Sequence, residues 1–230
     1  MRIGLISRKE RKVRKKNTSI VIDLLVATTN PGKFAEVKAF IGKLPLRILS
    51  LRELLNPPAV VEDGLSFEEN ALKKARALAA FSGLITLADD SGIEVDALGG
   101  APGIYSARYC GAAGDDDANN EKLLRELADV PGEKRTGRFV CALALCASDS
   151  GGLKEWTVRE CCEGRIAFAL KGSNGFGYDP LFFYPPFGKT FGEIDRETKA
   201  TVSHRGKALK KLVEMLPTWV DFAVGSPPQP

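Results

Sequence analysis

The sequence predicts an α/β protein built around a mixed β-sheet. Short apolar segments typical of strands are interspersed with amphipathic helical segments, but without the regular alternation of a doubly wound parallel fold. Apolar residues make up 44% of the 230 residues and charged residues 27%, which is typical of a globular chain with a sizeable core. No internal repeat is present.

The first strand is predicted over residues 20–27, where β-branched side chains and a single charge indicate a buried strand. Residues 28–33 (TTNPGK) then have the composition of a turn. Over residues 34–41 apolar positions recur at intervals of three and four, which predicts a helix directly after the turn.

The clearest helix signature covers residues 66–81. Ser66 and Glu69 have the spacing of a capping box, and the apolar residues that follow share one helix face. A short strand is predicted over residues 84–88, and we expect it to end at the tandem carboxylates of the segment 89–92 (DDSG).

The second half of the chain alternates loops with further strands and helices. In chain order we predict a Gly/Pro-rich loop at 98–103, a helix at 119–127, strands at 138–147 and 155–163 joined by a turn, a glycine-rich loop at 172–177, and a helix from 206 to 216. The domain is therefore expected to span residues 20–217. A basic extension (1–19) precedes it and a tail (218–230), Pro-rich and disordered at its end, follows it.

The net charge of +4 is concentrated in the N-terminal extension. Residues 1–16 contain eight basic residues and one acidic residue, which leaves 25 basic and 28 acidic residues in the rest of the chain. A solvated tail is the favoured interpretation, and a nucleic-acid-binding or targeting arm is the alternative. The acidic body disfavours a nucleic-acid partner. The extension lacks the apolar core of a signal peptide, and no segment approaches the roughly 18 apolar residues of a membrane span.

The five cysteines predict neither a disulfide framework nor a zinc site. Their number is odd, two are adjacent, and no C-x-x-C pair occurs, so a reducing, cytoplasmic location is expected. His204 is the only histidine, which excludes His-rich metal sites. Catalysis would therefore depend on carboxylates, lysines, hydroxyls or a metal ion.

Residues 28–33 are a candidate phosphate site. A turn between a strand and a helix presents backbone N–H groups, and Lys33 adds a cation. A Walker A loop would need glycine at position 27 and a hydroxyl residue at 34, where this chain has Ala27 and Phe34. On these residues alone, a plain turn is an equal alternative.

Asp89 and Asp90 are candidate metal ligands. Two consecutive carboxylates at a strand end cannot both face the core, and Mg²⁺ is typically held by one or two carboxylates together with substrate phosphates. Glu62 or Asp63, just before the capped helix, could supply a second carboxylate. A turn or a helix cap is the alternative role for the aspartates.

Three further groups allow both a functional and a structural interpretation. Lys73 and Lys74 fit the solvated face of their helix. Residues 176–180 (FGYDP) could form a base-stacking platform or a packed turn. Lys199, His204 and Arg205 collect donors before the last helix, where they could bind an anion or a keto oxygen, or where Ser203 could simply cap the helix.

Six ordered motifs together resemble one family, the inosine/xanthosine triphosphate pyrophosphatases. The matching stretches are TTNPGK (28–33), ENALKKA (69–75), LADDSG (87–92), LGGAPGIYSARY (98–109), GFGYDP (175–180) and SHRG (203–206). The resemblance runs from about residue 24 to residue 216, so it covers neither the basic extension nor the Pro-rich tail.

The resemblance implies roles for particular residues. It implies triphosphate binding by Thr28, Thr29, Asn30, Pro31, Gly32, Lys33 and Lys74, and substrate contact by Ser91. It implies a base and sugar pocket of Phe176, Gly177, Tyr178 and Asp179, with Lys199, His204 and Arg205 at the 6-keto edge of the purine. It implies that Asp90 binds Mg²⁺ and acts as general base, and that Glu62 is a second metal ligand. One departure is Asn174, where the family usually has glycine, and little effect is expected because asparagine tolerates positive φ.

The resemblance also implies an architecture and a reaction. The family fold is an elongated mixed β-sheet with two lobes flanking a central substrate cleft, usually as a homodimer. The implied reaction is Mg²⁺-dependent hydrolysis of ITP, dITP or XTP to the monophosphate and pyrophosphate. The septum-inhibitor-type nucleotide pyrophosphatases are a rival that SHRG and GFGYDP disfavour. Two rivals come from different functional classes, a nucleic-acid-binding module and a non-catalytic nucleotide sensor.

Overall fold

The computed structural model describes residues 22–111, 114–149 and 152–224. The basic extension and the Pro-rich end at 225–230 lie outside these residues. In chain order the strands and α-helices are β1 (Ile22–Ala27), α1 (Pro31–Ile41), β2 (Leu46–Ser50), α2 (Phe67–Ser82), β3 (Ile85–Val95), α3 (Asp116–Glu126), β4 (Thr136–Asp149), β5 (Gly152–Ile166), β6 (Phe182–Tyr184), β7 (Lys189–Thr190), α4 (Arg196–Val202) and α5 (His204–Val224).

These strands form one seven-stranded sheet in the order β2-β1-β3-β4-β5-β6-β7. β1 runs parallel to both β2 and β3, whereas the pairs from β3 to β7 are antiparallel. The predicted α/β architecture with a mixed sheet is therefore confirmed.

The core consists of three apolar clusters that define two lobes. In the first lobe, one cluster packs α1 and α5 against one sheet face, and a second packs α2 against the opposite face. The third cluster lies at the other end of the sheet and includes α3, β6 and the loops around them. Strands β3 and β4 contribute buried side chains to both ends. β5 contributes the buried Cys162 and Ile166 to the third cluster and the partly buried Trp156 and Val158 to the first, so all three strands connect the two lobes.

The strand predicted to end at residue 88 continues to Val95, which corrects the position of the two aspartates. Asp89 and Asp90 lie in the middle of β3, paired with Leu143 and Ala142 of β4. The composition DDSG favours a turn, but pairing with β4 and nearby cations stabilise the extended conformation. Gly92 permits this packing, because a Cβ there would lie 2.3 Å from the Ser106 hydroxyl.

The C-terminal helix also differs from its predicted bounds. α5 begins at His204, two residues early, and continues through Pro217 to Val224, so residues 218–224 of the predicted tail are helical. Trp219 is only 1% exposed and packs in the first cluster. Burial of a large apolar side chain contributes about 2–3 kcal/mol, comparable with the ~3 kcal/mol cost of proline inside a helix.

Several local predictions are confirmed, two with changes of detail. Ser66 caps α2 by accepting the Glu69 N–H at 3.2 Å, although the Glu69 carboxylate accepts from the Leu65 N–H instead of closing a capping box on Ser66. Among the described residues Asn56 alone combines positive φ with a side chain, so Asn174 needs no left-handed conformation. α3 begins at residue 116, three residues before its predicted start.

Two broader expectations concern the same described residues. All five cysteines lie in this part of the chain, and no disulfide links them. No helix within residues 22–111, 114–149 and 152–224 has the length and apolarity that crossing a bilayer would require.

Candidate active site

The alternation of side chains along β3 sends its two aspartates to opposite faces of the sheet. Asp89 faces α1 and α5, and Asp90 faces α2. β1 ends beside this point, since its last residue, Ala27, pairs with Ala88. The chain that leaves β1 turns into the candidate phosphate loop next to both carboxylates.

The phosphate loop is held by its own side chains. Asn30 caps α1 by accepting the Lys33 N–H at 3.0 Å, and the Thr28 hydroxyl accepts the Asn30 N–H at 3.1 Å. Pro31 starts the helix, while Thr29 is exposed. Three backbone donors of the predicted cradle are thus already engaged, because the Thr28 N–H also donates to the Val26 carbonyl oxygen at 3.0 Å. The Lys33 ammonium, 2.8 Å from Asp89 Oδ1, is the loop's cation.

Asp89 is fully engaged by neighbouring groups. Its carboxylate accepts from Arg205 Nε at 2.7 Å and from the Ser91 hydroxyl at 2.6 Å, and the Cys141 thiol lies 3.4 Å away. Burial alone would raise the pKa of Asp89. The charges of Arg205 and Lys33 outweigh burial and hold that pKa well below its usual range.

Asp90 has a different environment. Lys74 Nζ lies 3.2 Å from Asp90 Oδ1, 2.8 Å from Glu62 Oε2 and 2.9 Å from the Asp89 carbonyl oxygen. Burial raises the pKa of Asp90, and the Glu62 charge adds to that effect, although Lys74 and Lys33 oppose it. Burial also acts to raise the pKa of Glu62, but Lys74 outweighs burial there and the pKa is lowered.

Two residues outside the predicted set position Glu62. Arg108 Nη2 donates to the Glu62 carbonyl oxygen at 3.1 Å. The buried Asn70 side chain accepts the Gly64 N–H at 2.8 Å, and Asn70 lies one helical turn before Lys74 on the same face of α2. Lys73, by contrast, pairs with the exposed Asp63 at 2.7 Å, which takes both residues out of the site.

The carboxylates fit a hard divalent cation. The Oδ2 atom of Asp90 is buried without a hydrogen-bond partner, and Glu62 lies across the shared Lys74. Within the described residues no three acidic, cysteine or histidine side chains form a complete metal cage. Mg²⁺ commonly takes one or two carboxylates and completes its coordination with water and substrate phosphates, so Asp90 and Glu62 suit it.

A second group of buried charges extends from Asp89 toward the glycine-rich loop. Arg205 bridges Asp89 and Glu36, and Lys199 bridges Glu36 at 2.9 Å and Asp179 at 2.6 Å. Burial raises the pKa of Asp179, whereas Arg205 and Lys199 outweigh burial at Glu36 and lower its pKa. The alternating charges orient both cations predicted for the base site.

Phe176 closes this region from the second lobe. Its ring packs on Gly32, where a Cβ would lie 2.5 Å from the ring, so only glycine fits this approach. The Lys199 ammonium lies 4.9 Å and the Arg205 guanidinium carbon 5.7 Å from the ring centroid. The glycine-rich loop and the phosphate loop therefore meet at the aromatic ring, between the two lobes.

The remaining predicted residues divide between the site and its support. His204 is buried, stacks on Phe139 with ring centroids 4.7 Å apart, and has an unpartnered Nδ1 atom. Burial and the neighbouring Arg205 hold its pKa well below the usual range, so the ring is neutral. Tyr178 is buried in the third cluster, and its hydroxyl donates to the Ser106 carbonyl oxygen at 2.8 Å.

Ser203 has the capping role that its position before the last helix allows. Its hydroxyl accepts the Gly206 N–H at 3.1 Å and so caps α5, while His204 and Arg205 extend from the same turn toward the buried charges. The capping role of Ser203 is therefore compatible with a functional role for His204 and Arg205.

Three residues that contact the site, Asn70, Arg108 and Glu36, have no role predicted from the sequence. Asn70 and Arg108 lie inside the quoted motifs ENALKKA and LGGAPGIYSARY, so the motifs could have indicated them. Asp89 has a sequence signal only as one of a pair of carboxylates. Glu36 has no sequence signal, since its partner Arg205 is 169 residues away.

The chain is similar to known proteins over most of its length. The dITP/XTP pyrophosphatase of Exiguobacterium sibiricum is 50% identical over 197 residues, covering 86% of this chain and 98% of that protein. The dITP/XTP pyrophosphatase of Geobacter sulfurreducens is 51% identical over 193 residues, covering 84% and 96%. The structure of a HAM1 protein from Coxiella burnetii superposes with a TM-score of 0.77 at 35% identity, covering 86% and 100%. A profile of the Ham1 family matches residues 24–215, and the chain therefore belongs to the Ham1 family.

Proposed function

We propose that this chain hydrolyses dITP, ITP and XTP to the nucleoside monophosphate and pyrophosphate. The observation that carries the proposal is the pair of carboxylates on β3, whose pKa values are shifted in opposite directions beside Lys33 and Lys74. Such a pair is typical of a site that separates an anchoring acid from a reactive one. Two relatives at about half identity bear the name dITP/XTP pyrophosphatase.

Asp90 and Glu62 would hold Mg²⁺. When bound, the ion supplies charge neutralisation of the phosphates and polarisation of the attacking water. Lys33 and Lys74 lie beside these carboxylates and would bind the remaining negative charge of the triphosphate.

Asp90 acts as the general base in this proposal. It accepts a proton from water as the water oxygen forms a bond to the α-phosphorus, and the bond from that phosphorus to the α–β bridging oxygen breaks. The electron pair leaves with pyrophosphate. Asp90 Oδ2 is buried without a hydrogen-bond partner and could accept the proton, whereas the carboxylate of Asp89 is already engaged by three neighbouring groups.

Selection of the base follows from buried donors. Arg205 and Lys199 lie beside Phe176, which would stack on the purine, whereas the neutral ring of His204 stacks on Phe139. A 6-keto oxygen accepts a hydrogen bond, whereas the 6-amino group of adenine would leave a buried donor unpaired at about 1–3 kcal/mol.

A homodimer in the cytoplasm completes the proposal. Leu65 and Tyr105 are 89% and 56% exposed and line a groove of about 480 Å³, which would suit the apolar contact of a second copy. Light scattering after size-exclusion chromatography measures the mass in solution, and a monomer across the micromolar range would refute the dimer.

The decisive experiment measures pyrophosphate release from ITP, dITP, XTP, GTP and ATP, with Mg²⁺ and with EDTA. We expect Mg²⁺-dependent release that is strongest for the first three. Equal turnover of all five would contradict the assigned substrate class, and activity in excess EDTA would contradict the role of the metal. Binding of ITP without any hydrolysis would favour a nucleotide sensor.

A further inference from the structure

Two side chains near the start of α3 hold one residue of the glycine-rich loop, Gly177, by hydrogen bonds. Asp116 Oδ2 accepts the Gly177 N–H at 2.8 Å, and Asn120 Nδ2 donates to the Gly177 carbonyl oxygen at 2.9 Å. The two side chains are four positions apart and therefore lie on the same helix face. Together they satisfy both backbone groups of Gly177.

These two hydrogen bonds fix the conformation of the loop at Gly177. Gly177 has a φ of +60°, in the left-handed region that favours glycine. The N–H that Asp116 accepts belongs to the peptide that joins Phe176 to Gly177. The preceding peptide is fixed in the same way, because Asp179 Oδ2 accepts the Phe176 N–H at 2.9 Å. Phe176 is thus held between two carboxylates.

The aromatic ring held in this way is the one that meets the phosphate loop. It packs on Gly32 and lies within 6 Å of both cations of the base site. Asp179 is buried within that site, whereas Asp116 is exposed and belongs to a helix of the second lobe. The orientation of Phe176 therefore depends on a residue that lies outside the substrate site.

We propose that Asp116 and Asn120 are positioning residues for the purine, because they set Phe176 through Gly177. The inference rests on the proposed function, since it concerns how a purine nucleotide is bound. Loss of either hydrogen bond to Gly177 should weaken the stacking of the base on Phe176. The carboxylates of β3 and the two phosphate-binding lysines should stay unchanged.

The test compares Asp116→Ala with Asp117→Ala, Asp116→Asn and Asn120→Ala. Asp117 is the neighbouring exposed acid in the same helical turn, so its removal matches the loss of charge. Asp116→Asn keeps an oxygen acceptor for the Gly177 N–H. Asn120→Ala removes the second hydrogen bond, and its thermal unfolding is measured because Asn120 is buried.

The readouts are kcat and KM for ITP and the inhibition constant of inorganic tripolyphosphate, which has no base to stack. For Asp116→Ala we expect KM to rise about three- to tenfold, as for the loss of one hydrogen bond, with kcat changed by less than about twofold. Asn120→Ala should show the same pattern. Asp116→Asn and Asp117→Ala should resemble the wild type, and the inhibition constant of tripolyphosphate should not change.

Two results would overturn the inference. One is an unchanged KM in Asp116→Ala, and the other is an equal loss of ITP and tripolyphosphate binding, which would show a general disturbance of the site. Failure of the proposed function is distinguishable, because it appears as absence of ITP hydrolysis in the wild type.

Discussion

The two faces of β3 turn adjacent aspartates into different chemical groups. On one face Asp89 is saturated by Lys33, Arg205 and Ser91, and its pKa is well below the ordinary value. On the other face Asp90 shares Lys74 with Glu62, keeps one buried oxygen without a partner, and has a raised pKa. The surroundings of the two residues, and not the residue type, therefore separate an electrostatic anchor from a proton acceptor.

The largest effect is expected from Asp90→Asn. The change is nearly isosteric but removes the proton acceptor, so kcat should fall by about 10²–10⁴-fold. In EDTA the variant should be at least as resistant to thermal unfolding as the wild type, because a buried carboxylate with a raised pKa destabilises the fold when ionised. Pyrophosphate release and Tm are the measurements. Retention of more than about a tenth of the activity would show that Asp90 is not the base.

Asp89→Asn should act on stability instead. It leaves the buried charges of Arg205 and Lys33 without their shared carboxylate, and breaking such a buried pair typically costs about 3–5 kcal/mol of unfolding free energy. Urea denaturation measures this loss. Asp63→Asn, which breaks the exposed pair with Lys73, is the control and should unfold like the wild type. Equal unfolding free energies of the two variants would contradict a stabilising role for the Asp89 carboxylate.

A smaller effect is expected from His204→Phe. The substitution keeps an aromatic ring against Phe139 but removes both ring nitrogens. If His204 donates to the 6-keto oxygen, kcat/KM for ITP and XTP should fall about tenfold, the cost of one hydrogen bond, and the gap to ATP should narrow. GTP shares the 6-keto oxygen, so its kcat/KM should fall as much as that of ITP. Lys207→Ala, on the exposed side of α5, is the control. A proportional loss on all four triphosphates would assign His204 to folding.

The smallest effect distinguishes the two aspartates by pH in metal-free protein. At pH values above its raised pKa, the ionised Asp90 lowers the unfolding free energy, so Asp90→Asn should be stabilising there. That gain should vanish as the pH falls through the raised pKa, where the wild-type carboxyl becomes protonated. Asp89 has the opposite sign, because its pKa is lowered: its contribution is present above the unfolded pKa of about 3.9 and is lost only in stronger acid. Denaturation at several pH values measures the unfolding free energy and so reports both trends. Parallel pH profiles for the Asp89 and Asp90 variants would contradict the distinction between the two aspartates.

Much of the fold could be predicted from local patterns. β1, α2, β4 and β5 have strong periodicity, and their existence is confirmed within a few residues of the predicted bounds. The predicted β3 is too short because its DDSG segment has the composition of a turn. The cations that stabilise its carboxylates come from residues far away in sequence.

The candidate site divides in the same way. Motif residues distant in sequence lie together in the structure: Lys33 contacts Asp89, and the Phe176 ring packs on Gly32. The roles that the resemblance implies for them stay predictions. The phase of α2 could have separated the two lysines, since Lys74 shares a face with the buried Asn70 and Leu78 and Lys73 does not. No local pattern could have paired Glu36 with Arg205, because that contact exists only after the sheet has brought α1 and α5 together.

The strands that cross between the lobes have a mechanical consequence. β4 and β5 stay hydrogen-bonded from Thr136 and Arg165 to Asp149 and Gly152, and β3 follows β4 from Val95 to Thr86. Along these three strands the lobes are joined by a continuous, hydrogen-bonded sheet and not by a hinge at one point. An approach of one lobe to the other would be spread over many peptides as a change in sheet twist. The distance between the two lobes at rest, and the force that restores it after a change, would then depend on the length and twist of all three strands. A substitution at any single residue would change either of them little.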